Sequence, residues 1–247
     1  MECIRFHEVR KSFGGPNVLD GLSFSVEKGE LLCVTGPSGT GKSVLLKHIV
    51  RLLEPDSGTV TIEGVDIAEC DGDALRALRS RIGYLFQGGA LLAWLTVEEN
   101  VALPLKETTR LSAAEISERV RKALAAVELT DAADRYPSEI SGGMLKRAGL
   151  ARAIVRDCDI VLYDEPTSGL DPVSSAKING LIRRLGREFG ITSIVVTHDL
   201  HGALAIADRM LLLNHGRVVE LSTPREFQSS QNEEVRAFLS AARGEPS

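Results

Sequence analysis

Residues Gly36–Ser43 read GPSGTGKS, which satisfies GxxxxGK[ST]. The apolar run LLCVT precedes it and the glycine-free run SVLLKHIVRLL follows, the strand-then-helix setting this pattern requires. Background amino-acid usage would produce the bare pattern in roughly one chain in a hundred of this length. Glycines let successive backbone N–H groups converge on one concavity, and a helix start adds the positive end of its dipole. Gly36, Pro37, Ser38, Gly39, Thr40 and Gly41 would form that cradle. A triphosphate fits it, with Lys42 reaching the β- and γ-phosphates and the Ser43 hydroxyl suited to Mg²⁺.

Farther along, IVLYDEP carries Asp164 and Glu165 behind four apolar or aromatic residues. A strand buried on both faces reads that way, and ligands of open α/β sheets sit at the carboxyl ends of strands. Asp164 is placed to hold Mg²⁺, and Glu165 to orient or deprotonate an attacking water. His198 ends a third apolar run, ITSIVVT, where a neutral imidazole could contact the γ-phosphate and the water.

Positioning these groups takes alternating strands and helices. Ile4, Phe6 and Val9, then Leu22, Phe24 and Val26, predict two early strands. A helix is expected from Ser43 to Leu53, and GTVTIEGVDI alternates as another strand. SAAEISERVRKALAAVEL places Ile116, Val120 and Leu124 at helical spacing behind a capping box of Ser112 and Glu115. DIVLYD and ITSIVVTHD predict strands joined by a helix around 176–189, the connection parallel strands need. ADRMLLLNHGRVVEL reads as a terminal hairpin, and NEEVRAFLSAARG as a helix with Val235, Phe238 and Leu239 on one face, docking on its own domain. The core is therefore α/β with a helical insertion.

Composition narrows the function. The 247 residues, 43% hydrophobic, suit a folded domain with a substantial core. Twenty-nine basic against 34 acidic residues give a formal charge of −5, against a broad grip on nucleic acid. Cys3, Cys33, Cys70 and Cys158 lack metal or redox spacing and read as reduced thiols. MECIRFHEVRKSF has no secretory-signal pattern, so a cytoplasmic chain is expected.

EISGGMLKRAGLARAIV adds a second anion site, because Ser141, Gly142 and Gly143 open a helical run. With it, the order GPSGTGKS, Gln87, ISGGM, IVLYDE, SGLDP and THD resembles that of ATP-binding-cassette ATPases over nearly the whole chain. The resemblance implies a P-loop nucleotide-binding domain over 1–228, with a RecA-like core, an antiparallel β-subdomain and a helical subdomain over about 88–158, then a helical extension over 229–247. It implies head-to-tail pairing of two copies, each ATP lying between the phosphate loop of one and Ser141, Gly142 and Gly143 of the other. Phe13 would stack on adenine, Gln87 would sense Mg²⁺ and water, and Asp171 would communicate between the two sites. Met144 stands where the family usually has glutamine.

FQGGALLAWLTVEENVALPL, residues 86–105, is too interrupted to cross a bilayer, which takes about 20 nearly uninterrupted apolar residues. In the family this segment receives a cytoplasmic helix of the membrane-spanning permease, so Leu91, Leu92, Trp94, Leu95 and Val97 include candidates for that surface as well as core residues. Its wording, with SGGMLKR, is similar to that of the ATPases of Mce-associated lipid transporters, where methionine also follows Ser-Gly-Gly. The implied protein is a transport ATPase on the inner face of the bacterial inner membrane, with an Mce-type lipid-binding subunit in its complex. An amino acid, peptide or lipoprotein cargo is the alternative, and a soluble cassette of DNA repair or translation a more distant one.

Overall fold

The computed structural model describes residues 1–243, so Gly244 and the last residues of the expected extension lie outside the described part. The chain forms two compact units, one of residues 1–75 and 192–247 and the other of 76–191.

The first unit holds an antiparallel sheet of β1 (Glu2–Lys11), β2 (Leu19–Glu27), β4 (Ser57–Ile62) and β5 (Val65–Asp66), in the order β2-β1-β4-β5. Phe6 faces Phe24 across β1 and β2, and the rings stack at 4.8 Å. Ile4, Phe6 and Val9 are all buried although the spacing changes from two to three residues. A register shift between Phe6 and Val9, with Glu8 at φ 50°, restores Val9 to the core face.

The same unit holds β3 (Leu31–Thr35) between β8 (Thr192–Val196) and β9 (Arg209–Asn214), parallel to both, with β10 (Arg217–Ser222) antiparallel outside β9. Every residue of β3 and β8 is buried, as expected of parallel strands covered on both faces. Helix α1 (Lys42–Ile49) stops four residues short of the predicted Leu53. Arg51 turns left-handed at φ 50°, and the Leu52 N–H bonds back to the Lys47 carbonyl. Helix α2 (Gly72–Ser80) follows β5 along the chain, while α7 (Leu200–Ile206), α8 (Pro224–Gln228) and α9 (Glu233–Arg243) follow β8 and β10. Val235 and Leu239 are buried and Phe238 is half-buried, so α9 docks on its own unit beside β10.

In the second unit β6 (Ile82–Leu85) pairs in parallel with β7 (Ile160–Asp164). Around them lie α3 (Val97–Thr108), α4 (Ala113–Ala126), α5 (Gly142–Ile154) and α6 (Pro172–Phe189). The Ser112–Glu115 capping box forms as predicted, and a second one, Thr96 with Glu99, opens α3. Helix α5 packs against β6, α3, α4 and α6. Gly149 makes that possible, since a Cβ there would lie 2.7 Å from Leu85 Cδ1. All four cysteines are free and buried, and burial pushes the Cys158 thiol up to about 11.

Candidate functional site

The phosphate-loop residues lie together in the first unit, between β3 and α1. Gly36, at φ 147°, stands so close to β9 that a Cβ would run into the Leu213 carbonyl oxygen. Pro37, Ser38 and Gly39 are exposed, and Thr40 Oγ1 donates to the Pro37 carbonyl at 2.9 Å. Gly41, left-handed at φ 95°, opens α1, whose first turn carries no acidic side chain to offset the helix dipole. Lys42 is buried, and its Nζ donates to the carbonyls of Gly36 at 2.9 Å and Pro37 at 2.8 Å. Its charge therefore lies along the loop. Ser43 stands half-buried in the first turn of α1.

Two more sequence-predicted residues belong to this unit. His198 is exposed just past β8, and Asp199 beside it caps α7 by accepting from the Gly202 N–H at 2.9 Å. Phe13 is 59% exposed, with Lys11 Nζ 5.6 Å from its ring centre. Asp56, absent from the sequence reading, braces the Phe13 stem by accepting from Lys11 Nζ and the Ser12 N–H, each at 2.7 Å. Those bonds hold the Asp56 carboxyl below the usual carboxylate range.

Asp164, Glu165, Gln87, Ser141, Gly142, Gly143 and Asp171 all belong to the second unit. Asp164 is buried at the end of β7, and the Tyr84 hydroxyl donates to its Oδ2 at 3.4 Å. Burial first, then the Asp164 charge, raises the pKa of that hydroxyl and keeps it a donor. Glu165 adopts a left-handed backbone at φ 50°, which costs a side-chain-bearing residue about 1–2 kcal/mol. Its carbonyl accepts from the Ser168 N–H at 3.3 Å and from Lys146 Nζ at 3.1 Å. Lys146 is only 4% exposed, and burial lowers its pKa while Glu165 and Asp164 act to raise it.

Gln87 is exposed just past β6. The turn behind it is clamped by Arg152, which donates to the carbonyls of Gly89 and Ala90 at 2.7 Å each. Ser141 caps α5, its Oγ accepting from the Met144 N–H at 3.3 Å. Gly142 and Gly143 form the first turn, which has no acidic side chain. Asp171 caps α6, its Oδ1 accepting from the N–H groups of Val173 at 2.9 Å and Ser174 at 3.0 Å. Hydrogen bonds from Ser174, the largest cause, hold its carboxyl below the usual range. Asp followed by a proline at the first helical position is the sequence signature of such a cap.

The apolar segment splits between surface and core. Val97 is fully buried and leaves the set of surface candidates, Leu91, Leu92 and Leu95 are half-buried, and Trp94 is 73% exposed. Asn100, fully buried, holds this loop: its Oδ1 accepts from the Leu92 N–H at 2.7 Å, and its Nδ2 donates to the carbonyls of Leu92, Leu95 and Thr96 at 2.9–3.1 Å. Sequence reasoning missed it because a polar residue in an amphipathic helix reads as exposed. Replacing it with leucine takes the side-chain partner from the Leu92 N–H and the Leu95 carbonyl, a loss of about 3 kcal/mol, while the Leu92 and Thr96 carbonyls keep backbone donors. The expected result of Asn100→Leu is a Tm lower by roughly 6–12 °C for a chain of this size, with a drop in Trp94 fluorescence anisotropy. An unchanged anisotropy would show that Asn100 does not hold the loop.

The phosphate loop after a fully buried strand, the acidic end of another such strand and a serine-capped glycine turn define a P-loop ATPase of the cassette kind. The ABC transporter family model matches residues 19–168, and the chain belongs to that family. The sequence is similar to the probable ribonucleotide transport ATP-binding protein mkl of Mycobacterium tuberculosis, 40% identical over 97% of this chain and 67% of that protein. It is also similar to the methionine import ATP-binding protein MetN of Bordetella pertussis, 42% identical over the same shares. Among solved structures, the dimeric cassette MJ0796 is 34% identical with a TM-score of 0.83, covering 90% of this chain and 99% of that one. MJ0796 has also been seen as a post-hydrolysis dimer bound to ADP and Pi. CbiO1 of Clostridium perfringens, part of the complex cbiONQ, has a TM-score of 0.85 at 27% identity, covering 97% of this chain and 95% of that one. The chain is a transport-coupled ATPase that converts ATP and water to ADP and phosphate.

Proposed function

We propose that two copies of this chain close head to tail on two ATP molecules, and that closure and reopening drive a membrane permease that moves phospholipid. One observation supports the pairing: the glycine-rich start of α1 and the Ser141-capped start of α5 both lack acidic side chains in their first turns, as suits anion binding. A phosphate bound to both, one from each copy, joins the copies. Hydrolysis and phosphate loss then remove the link.

Phe13 stacks on adenine, Gly36–Ser43 cradle the phosphates, and Ser141, Gly142 and Gly143 of the other copy take the γ-phosphate. Glu165 orients the attacking water and accepts its proton, His198 contacts the γ-phosphate, and Asp171 links the two sites. Ser43, Asp164 and Gln87 offer hydroxyl, carboxylate and amide oxygens, the hard donors that suit Mg²⁺. Bound there, Mg²⁺ would supply positive charge against the phosphates.

The lipid cargo is supported by Met144 after Ser-Gly-Gly and by the wording of residues 86–105, and Trp94 with its neighbours is the docking surface for the permease. Among the described residues no helix is long and apolar enough to cross a membrane. In this reading the chain is a peripheral subunit on the inner face of the inner membrane, with an Mce-type lipid-binding subunit in the complex. A second reading, transport of an amino acid, is favoured by the similarity to the methionine import protein MetN. Purification of the assembled complex through this subunit decides between them. Stoichiometric phospholipid and an Mce-type subunit are expected, whereas a soluble amino-acid-binding subunit without lipid would sink the lipid reading.

A further inference from the structure

Lys146 lies about one turn into α5, the helix that Ser141 opens, and it is buried. A lysine ammonium sheltered from water needs partners, and this one donates to the Glu165 carbonyl at 3.1 Å and to Ser168 Oγ at 3.2 Å. The carbonyl it grips belongs to the residue held at φ 50°, and the Ser168 N–H, 3.3 Å away, bonds to the same oxygen. Left-handed backbone on a side-chain-bearing residue persists only where the surroundings over-determine it. Lys146 and Ser168 supply that determination together, both donating to the one oxygen.

We propose that Lys146 is a positioning residue for hydrolysis. It fixes the backbone from which the Glu165 carboxylate is aimed and fastens that backbone to the helix whose first turn takes the other copy's γ-phosphate. Gly149 and Arg152 bind the same helix to the turn after Gln87, since a Cβ on Gly149 would lie 3.1 Å from Gly89 Cα and Arg152 holds the Gly89 and Ala90 carbonyls. One rigid helix thus touches the γ-phosphate half-site at its start and two catalytic loops along its length. The proposal rests on Glu165 being the residue that acts on the water.

The test compares Lys146→Met, which keeps the apolar stem without a donor, and Lys146→Gln, which keeps an N–H. Lys146→Met is expected to lower kcat at least tenfold with the KM for ATP within about twofold, and Lys146→Gln to fall between it and the unaltered chain. Combined with Glu165→Gln, Lys146→Met should lower single-turnover hydrolysis by less than twofold further, because its route of action is already gone. An unchanged kcat in Lys146→Met, or the same tenfold loss with and without Glu165, overturns the proposal. Glu165→Gln alone turning over at the unaltered rate overturns the assignment of Glu165 itself, and the proposal with it.

Discussion

Glu165→Gln is expected to lose at least a hundredfold in ATP turnover while binding ATP as tightly as the unaltered chain. A positioned general base contributes typically about 10²–10⁴ in rate, and the amide keeps the size of the side chain but cannot take up a proton. The backbone reasons for selectivity are already in place: Glu165 stands in a left-handed turn held by Ser168 and Lys146, and none of those bonds involves its carboxylate. The substitution keeps both carbonyl bonds and removes the proton acceptor. Steady-state phosphate release beside equilibrium binding of ATP checks it. Turnover within threefold of normal would remove Glu165 from its assigned role.

Lys42→Ala is expected to act on the other quantity, weakening ATP binding by about ten- to a hundredfold. Hydrogen bonds to charged groups are worth about 1.5–3 kcal/mol each, and a buried ammonium is desolvated before the nucleotide arrives. The Lys42 Nζ lies along the loop against the Gly36 and Pro37 carbonyls. Its removal also takes one donor from the Gly36 carbonyl, while the Pro37 carbonyl keeps the Thr40 hydroxyl. Titration with a fluorescent ATP analogue measures the effect, and unchanged affinity would mean that Gly36–Ser43 is not where the phosphates lie.

What the sequence made readable was local. The phosphate loop, the acidic end of β7 and the cap at Ser141 each depend on a few adjacent residues, so pattern and geometry coincide. The α1 boundary was less readable because VRLL continues an apolar helical run, while the left-handed turn at Arg51 ends it. Val97 and Trp94 looked alike as apolar residues of one segment, and only the Thr96–Glu99 capping box and the packing of α3 send one inward and leave the other in solvent. Least readable were Asn100, Arg152 and Lys146. Each is a polar side chain whose partners include backbone carbonyls of a neighbouring loop or turn, and their positions in the sequence carry no mark of it.

The pairing of two copies around ATP is the claim on which the function depends. Sedimentation of Glu165→Gln with and without saturating ATP tests it most directly. The mass is expected to double on ATP addition, with two nucleotides held per pair and no doubling when Ser141→Arg fills the start of α5. A chain that keeps its single-copy mass while fully loaded with ATP would contradict it.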